Sequence, residues 1–124
     1  MRFSVALIAW TGLMFYGLLT PGNPIGPRYH LFPEEDKVIH AGLFFVETVL
    51  TLLVFKFEIP VRRSWSLFIV AFVGVFSAGA TELIQSQVAY RQADWSDFFS
   101  DLVGILLGII FFQYLEKRNK SLTD

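Results

Sequence analysis

Residues 66–86 read SLFIVAFVGVFSAGATELIQS, and this stretch decides the class of protein. Glu82 is its only charged side chain, and most of the other residues are apolar. A helix needs about 20 mainly apolar residues to cross roughly 30 Å of hydrocarbon. The stretch therefore predicts a transmembrane helix.

Three further apolar runs, at about 3–20, 38–55 and 98–115, have a similar length. The whole chain has 124 residues, of which 54% are hydrophobic and 17% are charged, against about 25% charged in typical globular proteins. We predict an all-α protein, with a single domain over residues 1–124 that forms a four-helix transmembrane bundle. The first run could instead be a signal peptide, but no A-x-A-like site follows Leu19, so we expect a retained helix.

Basic residues predict how the bundle is oriented in the membrane. Those at one set of helix ends are Arg2, Lys56, Arg62, Arg63, Lys117, Arg118 and Lys120, whereas the other side has only Arg28, Lys37 and Arg91. The positive-inside rule then predicts that both termini are cytoplasmic. The net charge of −1 gives no sign of a nucleic-acid partner, and the absence of cysteine excludes disulfides and thiolate chemistry.

Several acidic residues lie within the predicted membrane helices. An acid at a helix centre costs about 2.5–3.5 kcal/mol on insertion scales, so such residues usually face other helices or a polar cavity. Three stripes of residues follow helical spacing: Lys37, His40, Phe44 and Glu47; then Gly74, Ala78, Glu82 and Gln85; then Asp94, Asp97, Asp101, Gly104 and Gly108. We expect the polar ends of these stripes to converge on one outward-facing pocket, with Arg91 over its mouth.

Each group also has a purely structural interpretation. Gly104 and Gly108 form a G-x-x-x-G motif, which favours close helix packing and could also support a homo-oligomer. Asp94 is equally consistent with an N-cap and with a functional role. Lys37 can extend to the membrane interface, and Gln85 can join two helices.

The polar residues suggest several kinds of chemistry. A histidine and carboxylates suit general acid–base catalysis, with His40 and Glu82 as the candidate catalytic residues. A divalent metal ion is a weaker alternative, with His40, Glu82, Asp97 and Asp101 as candidate ligands. Arg91, Lys37 and Arg28 could hold a phosphate or carboxylate. No H-E-x-x-H, G-x-S-x-G or phosphate-loop motif is present.

The spacing of these residues resembles the VanZ-like family of bacterial membrane proteins. The matching patterns are Asp36-Lys37-x-x-His40-x-x-x-Phe44, Glu82-x-x-Gln85 and Arg91-x-x-Asp94-x-x-Asp97-x-x-x-Asp101-x-x-Gly104. The chain departs from the family at Asp101, where asparagine is usual. The resemblance implies a multi-pass protein of the bacterial cytoplasmic membrane and cell envelope, related to a protein associated with resistance to the antibiotic teicoplanin.

Three functions are consistent with these observations. The first is a binding protein for an envelope component, such as a lipid-linked phosphate or sugar or an anionic lipid. Its predicted ligand-binding residues are Lys37, His40, Glu82, Gln85, Arg91, Asp94, Asp97 and Asp101. The second is a membrane-embedded hydrolase or transferase that uses the same pocket. The third is a structural or accessory subunit of a larger membrane complex.

Overall fold

The computed structural model describes residues 1–20, 35–88 and 94–123, and these residues form four α-helices. The helices are α1 (Arg2–Leu19), α2 (Glu35–Phe57), α3 (Arg63–Gln85) and α4 (Trp95–Thr123). Each is long and apolar enough to cross a membrane. The prediction of an all-helical, multi-pass membrane protein is confirmed to this extent.

The helix ends follow local chemistry. Glu35 and Asp36 lie in the first turn of α2 and Lys56 in its last turn, where each charge complements the helix dipole. Pro60 separates α2 from α3, because proline cannot donate the backbone hydrogen bond that a continuing helix needs. Pro33 and Glu34, which precede this turn in the sequence, lie outside the described residues.

Helix α4 is longer than its apolar run. It continues past Leu115 to Thr123, through the charged residues Glu116, Lys117, Arg118 and Lys120. Lysine, arginine and glutamate have favourable helix propensities, so the helix persists after hydrophobicity ends. At 1.5 Å per residue, its 29 residues span about 43 Å, more than the thickness of the hydrocarbon core.

Helix α2 is the centre of the bundle. It packs against α1, α3 and α4, with its most extensive contact along α4, whereas the backbones of α1 and α4 do not approach each other closely within the described residues. A core cluster of Met14, Leu18, Phe44, Ala78 and Ile105 joins all four helices. Many large apolar side chains stay exposed, including Phe68, Phe72 and Phe76 on one stripe of α3, as expected for a surface in contact with lipid.

Two glycines bring α2 and α4 together. A Cβ atom on Gly104 would lie 2.2 Å from the carbonyl oxygen of Ala41, and one on Gly108 would lie 2.9 Å from the side chain of Thr48. The close helix contact that the G-x-x-x-G motif predicts is therefore made within the chain. Both glycines are buried within the chain, and a homo-oligomer stays a prediction.

Candidate functional site

The polar residues of three helices meet near one end of the bundle. His40 lies in the second turn of α2, Asp101 in the second turn of α4 and Glu82 in the last turn of α3. His40 Nδ1 is 2.8 Å from Asp101 Oδ1, and its Nε2 is 3.7 Å from Asp97 Oδ2. We call His40, Glu82, Asp97 and Asp101 the polar cluster.

Three members of the polar cluster are buried. The exposed fraction is 6% for His40, 2% for Glu82 and 0% for Asp101. Glu82 Oε2 accepts a hydrogen bond of 3.0 Å from the backbone N–H of Asp94. Glu82 Oε1 and Asp101 Oδ2 are buried without a hydrogen-bond partner among the described residues. Buried polar atoms are normally paired, so these two oxygens require an explanation.

Asp94 forms the N-cap of α4. Its Oδ1 accepts a hydrogen bond of 2.9 Å from the backbone N–H of Ser96, and the side chain is otherwise exposed. Hydrogen bonds from the backbone and the side chain of Ser96 lower the pKa of Asp94, and the nearby charge of Lys37 contributes in the same direction. The capping interpretation therefore accounts for this side chain, while its backbone positions Glu82. Lys37 is half-buried in the first turns of α2, near the mouth of the cluster.

Gln85 joins two helices. Its side chain is buried, and Nε2 donates a hydrogen bond of 2.8 Å to the carbonyl oxygen of Leu18. That carbonyl is in the last turn of α1, where backbone acceptors have no partner within the helix. One of the two N–H donors of this amide therefore makes a structural contact between helices. Arg28 and Arg91, the predicted anion-binding residues, lie outside the described residues.

Glu47 is separate from the polar cluster. It lies on α2 at the base of a cavity of about 520 Å³ between α1 and α3, which is lined mainly by apolar side chains. The hydroxyl of Thr11 lies 2.8 Å from Glu47 Oε1 and also 2.8 Å from the carbonyl oxygen of Leu7. Helical spacing alone does not identify Thr11 as the partner, because the contact depends on how α1 packs against α2.

Two other carboxylates connect helix ends at the opposite end of the bundle from the polar cluster. The sequence analysis did not identify either of them. Glu58, in the link between α2 and α3, accepts hydrogen bonds from the backbone N–H groups of Phe3 (2.7 Å) and Ser4 (2.9 Å) and from the Ser4 hydroxyl. Glu116 on α4 forms ion pairs with Lys56 (3.1 Å) and Arg63 (3.2 Å). These contacts join residues that are far apart in the sequence, and only the antiparallel packing of the helices brings them together.

The polar cluster has two chemical capacities. The contact between His40 and Asp101 is the arrangement in which a carboxylate orients an imidazole for proton transfer. Carboxylate oxygens and an imidazole are also suitable ligands for a divalent cation. The ligand atoms of His40, Glu82 and Asp101 lie within 4.8 Å of one another, which brings them within reach of a single ion after small side-chain movements.

Comparison with known proteins gives one informative relative. The chain is 36% identical over 86 residues to an uncharacterized protein of the fission yeast Schizosaccharomyces pombe. The match covers 69% of this chain and 51% of the relative, so the chain spans about half the length of the relative it matches. No family model and no solved structure matches the chain.

Proposed function

We propose that this membrane protein binds a phosphate- or sugar-bearing lipid at the polar cluster. The observation that carries the proposal is the burial of Glu82 Oε1 and Asp101 Oδ2 without a partner among the described residues. Two such acceptors near one end of the bundle favour a bound group that donates hydrogen bonds, such as a sugar hydroxyl, or that is positively charged, because leaving them unpaired would cost stability. Asp97 and Lys37 are less buried and would contact the part of the ligand at the mouth.

The proposed orientation places the polar cluster on the extracytoplasmic side. Basic residues at the opposite end of the bundle support it, through the positive-inside rule. The resemblance to VanZ-like proteins supports a bacterial cytoplasmic membrane, and with it a role in the cell envelope and in teicoplanin resistance. The fission yeast relative favours a lipid class that both kinds of cell contain, such as a phosphate-bearing lipid, over one restricted to bacterial walls.

An enzyme is the second candidate, and the 2.8 Å contact between His40 and Asp101 favours it. Asp101 would hold the imidazole through Nδ1, and Nε2 would act as the general base toward a group bound beside Asp97. The reaction would be hydrolysis or group transfer on the same lipid. The two candidates differ in one observable, the appearance of a product.

Native mass spectrometry of the protein extracted gently from its membrane tests the proposal. We expect a co-purified lipid on the wild-type chain that is lost in His40→Ala and Glu82→Gln. The matched control is Glu47→Gln, which changes a carboxylate of the same helix bundle outside the polar cluster, and this variant should retain the lipid. A wild-type chain free of lipid, or equal lipid on all four proteins, would overturn the proposal and favour a structural subunit.

The same preparations separate binding from catalysis. Incubation with the identified lipid, followed by analysis of the extracted lipids, should return it unchanged if the protein is a binder. A new lipid product that the wild type forms and His40→Ala does not would establish the enzyme instead.

A further inference from the structure

We infer that His40, Glu82 and Asp101 hold a divalent cation at the base of the polar cluster. This inference rests on the proposed function and deepens it, because the cation would be the group that receives a phosphate oxygen of the lipid. The site is formed by three helices, with one ligand from each of α2, α3 and α4.

The unpartnered oxygens are the first reason for a cation. Glu82 and Asp101 are almost completely buried, and each keeps one oxygen without a hydrogen-bond donor among the described residues. The ligand atoms of His40, Glu82 and Asp101 lie within 4.8 Å of one another. A metal ion could coordinate both of these carboxylate oxygens and the imidazole at once, since all three are suitable ligands.

Charge is the second reason. The polar cluster contains three carboxyl groups, those of Glu82, Asp97 and Asp101, around one imidazole. An imidazole supplies at most one positive charge, so a cluster of ionised carboxylates would remain negative in a region of low dielectric constant. A divalent cation would offset this charge, because coordination to a metal is one of the ways in which buried carboxylates are stabilised.

The ligand types indicate which ion would bind. Imidazole nitrogen favours Zn²⁺ and other transition-metal ions, whereas Mg²⁺ and Ca²⁺ are generally bound by oxygen ligands alone. Zinc binds nitrogen and carboxylate oxygen at about 2.0–2.2 Å and uses three protein ligands when a fourth position is open. We therefore expect Zn²⁺ or Mn²⁺ to bind more tightly than Mg²⁺ or Ca²⁺.

A ligand that enters at the mouth of the polar cluster would fill the remaining coordination position of the ion. Asp97 and Lys37 are the less buried residues there, and Asp97 Oδ2 lies 3.7 Å from His40 Nε2. A phosphate oxygen arriving at this side would complete the coordination of the ion. An acidic cluster could then bind an anionic lipid, which its own charge would otherwise repel.

Metal binding is measured first, without lipid. The protein in detergent is treated with a chelator, dialysed, and titrated with Zn²⁺, Mn²⁺ and Mg²⁺ in separate calorimetric experiments. We expect about one Zn²⁺ or Mn²⁺ per chain. His40→Ala and Glu82→Gln should weaken binding by about tenfold or more, while Glu47→Gln should bind as the wild type does. Absence of binding to the wild type, or equal affinity in all the variants, would overturn the inference.

A measurement on the wild type alone avoids the possibility that a variant fails to fold. Co²⁺ added to the chelator-treated protein should produce visible absorption bands of a nitrogen- and oxygen-ligated ion, and Zn²⁺ should displace them. A spectrum identical to that of free aqueous Co²⁺ would overturn the inference.

Lipid binding with and without metal separates the two proposals. If both are correct, native mass spectrometry should detect the lipid on the Zn²⁺-loaded protein and lose it after chelation. Lipid that persists after chelation would overturn the role of the ion and leave the proposed function intact. Specific Zn²⁺ binding to a chain that carries no lipid in either state would support the metal site and overturn the proposed function.

Discussion

The carboxyl groups of individual residues differ in what stabilises them. Glu58 is surrounded by donors: the N-terminal amino group lies 2.8 Å away, and the Ser4 hydroxyl and the backbone N–H groups of Phe3 and Ser4 also donate to it. Glu82 and Asp101 each retain an oxygen without a donor among the described residues. The same functional group therefore strengthens the fold at one end of the bundle and leaves unpartnered acceptors among the described residues at the other.

Glu58 makes the stability of the fold vary with pH in the acidic range. Partial desolvation raises its pKa, but the hydrogen bonds from the N-terminus, Ser4 and Phe3 outweigh this effect and bring the pKa to about 2, from an ordinary value of 4.5. Because the folded-state pKa is lowered, the contribution is fully present above pH 4.5 and is lost as the pH falls toward 2.

Thermal unfolding of Glu58→Gln in detergent tests this dependence. We expect the variant to have a lower Tm than the wild type near neutral pH, and the difference to shrink as the pH falls below 4.5. Comparing the two proteins at each pH removes the effect of acids that both share. A Tm difference that does not change with pH would contradict this role of Glu58.

At the scale of helices, the contact between α2 and α4 positions the polar cluster. His40 and Ala41 are neighbours on α2, and Ala41 contacts Gly104 on α4, less than one turn after Asp101. The close approach at Gly104 therefore helps to bring the imidazole to the carboxylate of Asp101. Helix packing and site geometry depend on the same few residues.

Gly104→Ala should disturb both the contact between α2 and α4 and the geometry of the polar cluster. Its Cβ would lie 2.2 Å from a backbone oxygen, and backbone cannot move aside as a side chain can. We expect a loss of about 1–3 kcal/mol or more in the free energy of unfolding, because overpacking forces the helices apart. The measurement is chemical or thermal unfolding in detergent.

Gly42→Ala is the matched control. It is on α2, next to the contact, and a Cβ there would meet nothing within 4 Å. We expect unchanged or slightly increased stability, since alanine exceeds glycine in helix propensity by about 1 kcal/mol. Equal destabilisation by both substitutions would show that the α2–α4 contact is not the cause.

The sequence predicted these elements to different degrees. The apolar runs identified all four helices, because about 20 apolar residues have few alternatives to a membrane helix. The ends were less predictable, since α4 continues through Glu116 and Lys117, where composition is polar but helix propensity persists. Helical spacing placed His40, Glu82 and Asp101 on inward faces, whereas the partners of Gln85 and Glu47 depend on how α1 docks, which no periodicity specifies.

For the whole molecule, the charge distribution defines two unlike ends. At one end, Glu116 pairs with Lys56 and Arg63, and Glu58 holds the start of α1. The other end contains the polar cluster and fewer basic residues. This asymmetry is the physical basis of the proposed orientation.

Single cysteines can measure the orientation directly, because the chain has none of its own. We expect Gln87→Cys, near the polar cluster, to react with a membrane-impermeant maleimide added outside intact cells. Pro60→Cys, in the link between α2 and α3, should react only after the membrane is permeabilised. Both side chains are exposed, so accessibility within the protein is matched. The reverse pattern would contradict the proposed orientation.

The cavity between α1 and α3 has a consequence for what can approach Glu47. Its rim includes exposed apolar side chains such as Ile8 and Val73, which lie on membrane-spanning helices. A molecule would therefore enter sideways, after dissolving in the lipid phase, and a strictly water-soluble one would be kept out. Glu47 and the polar cluster therefore face different surroundings: Glu47 is approached from the bilayer, whereas the polar cluster lies near one end of the bundle.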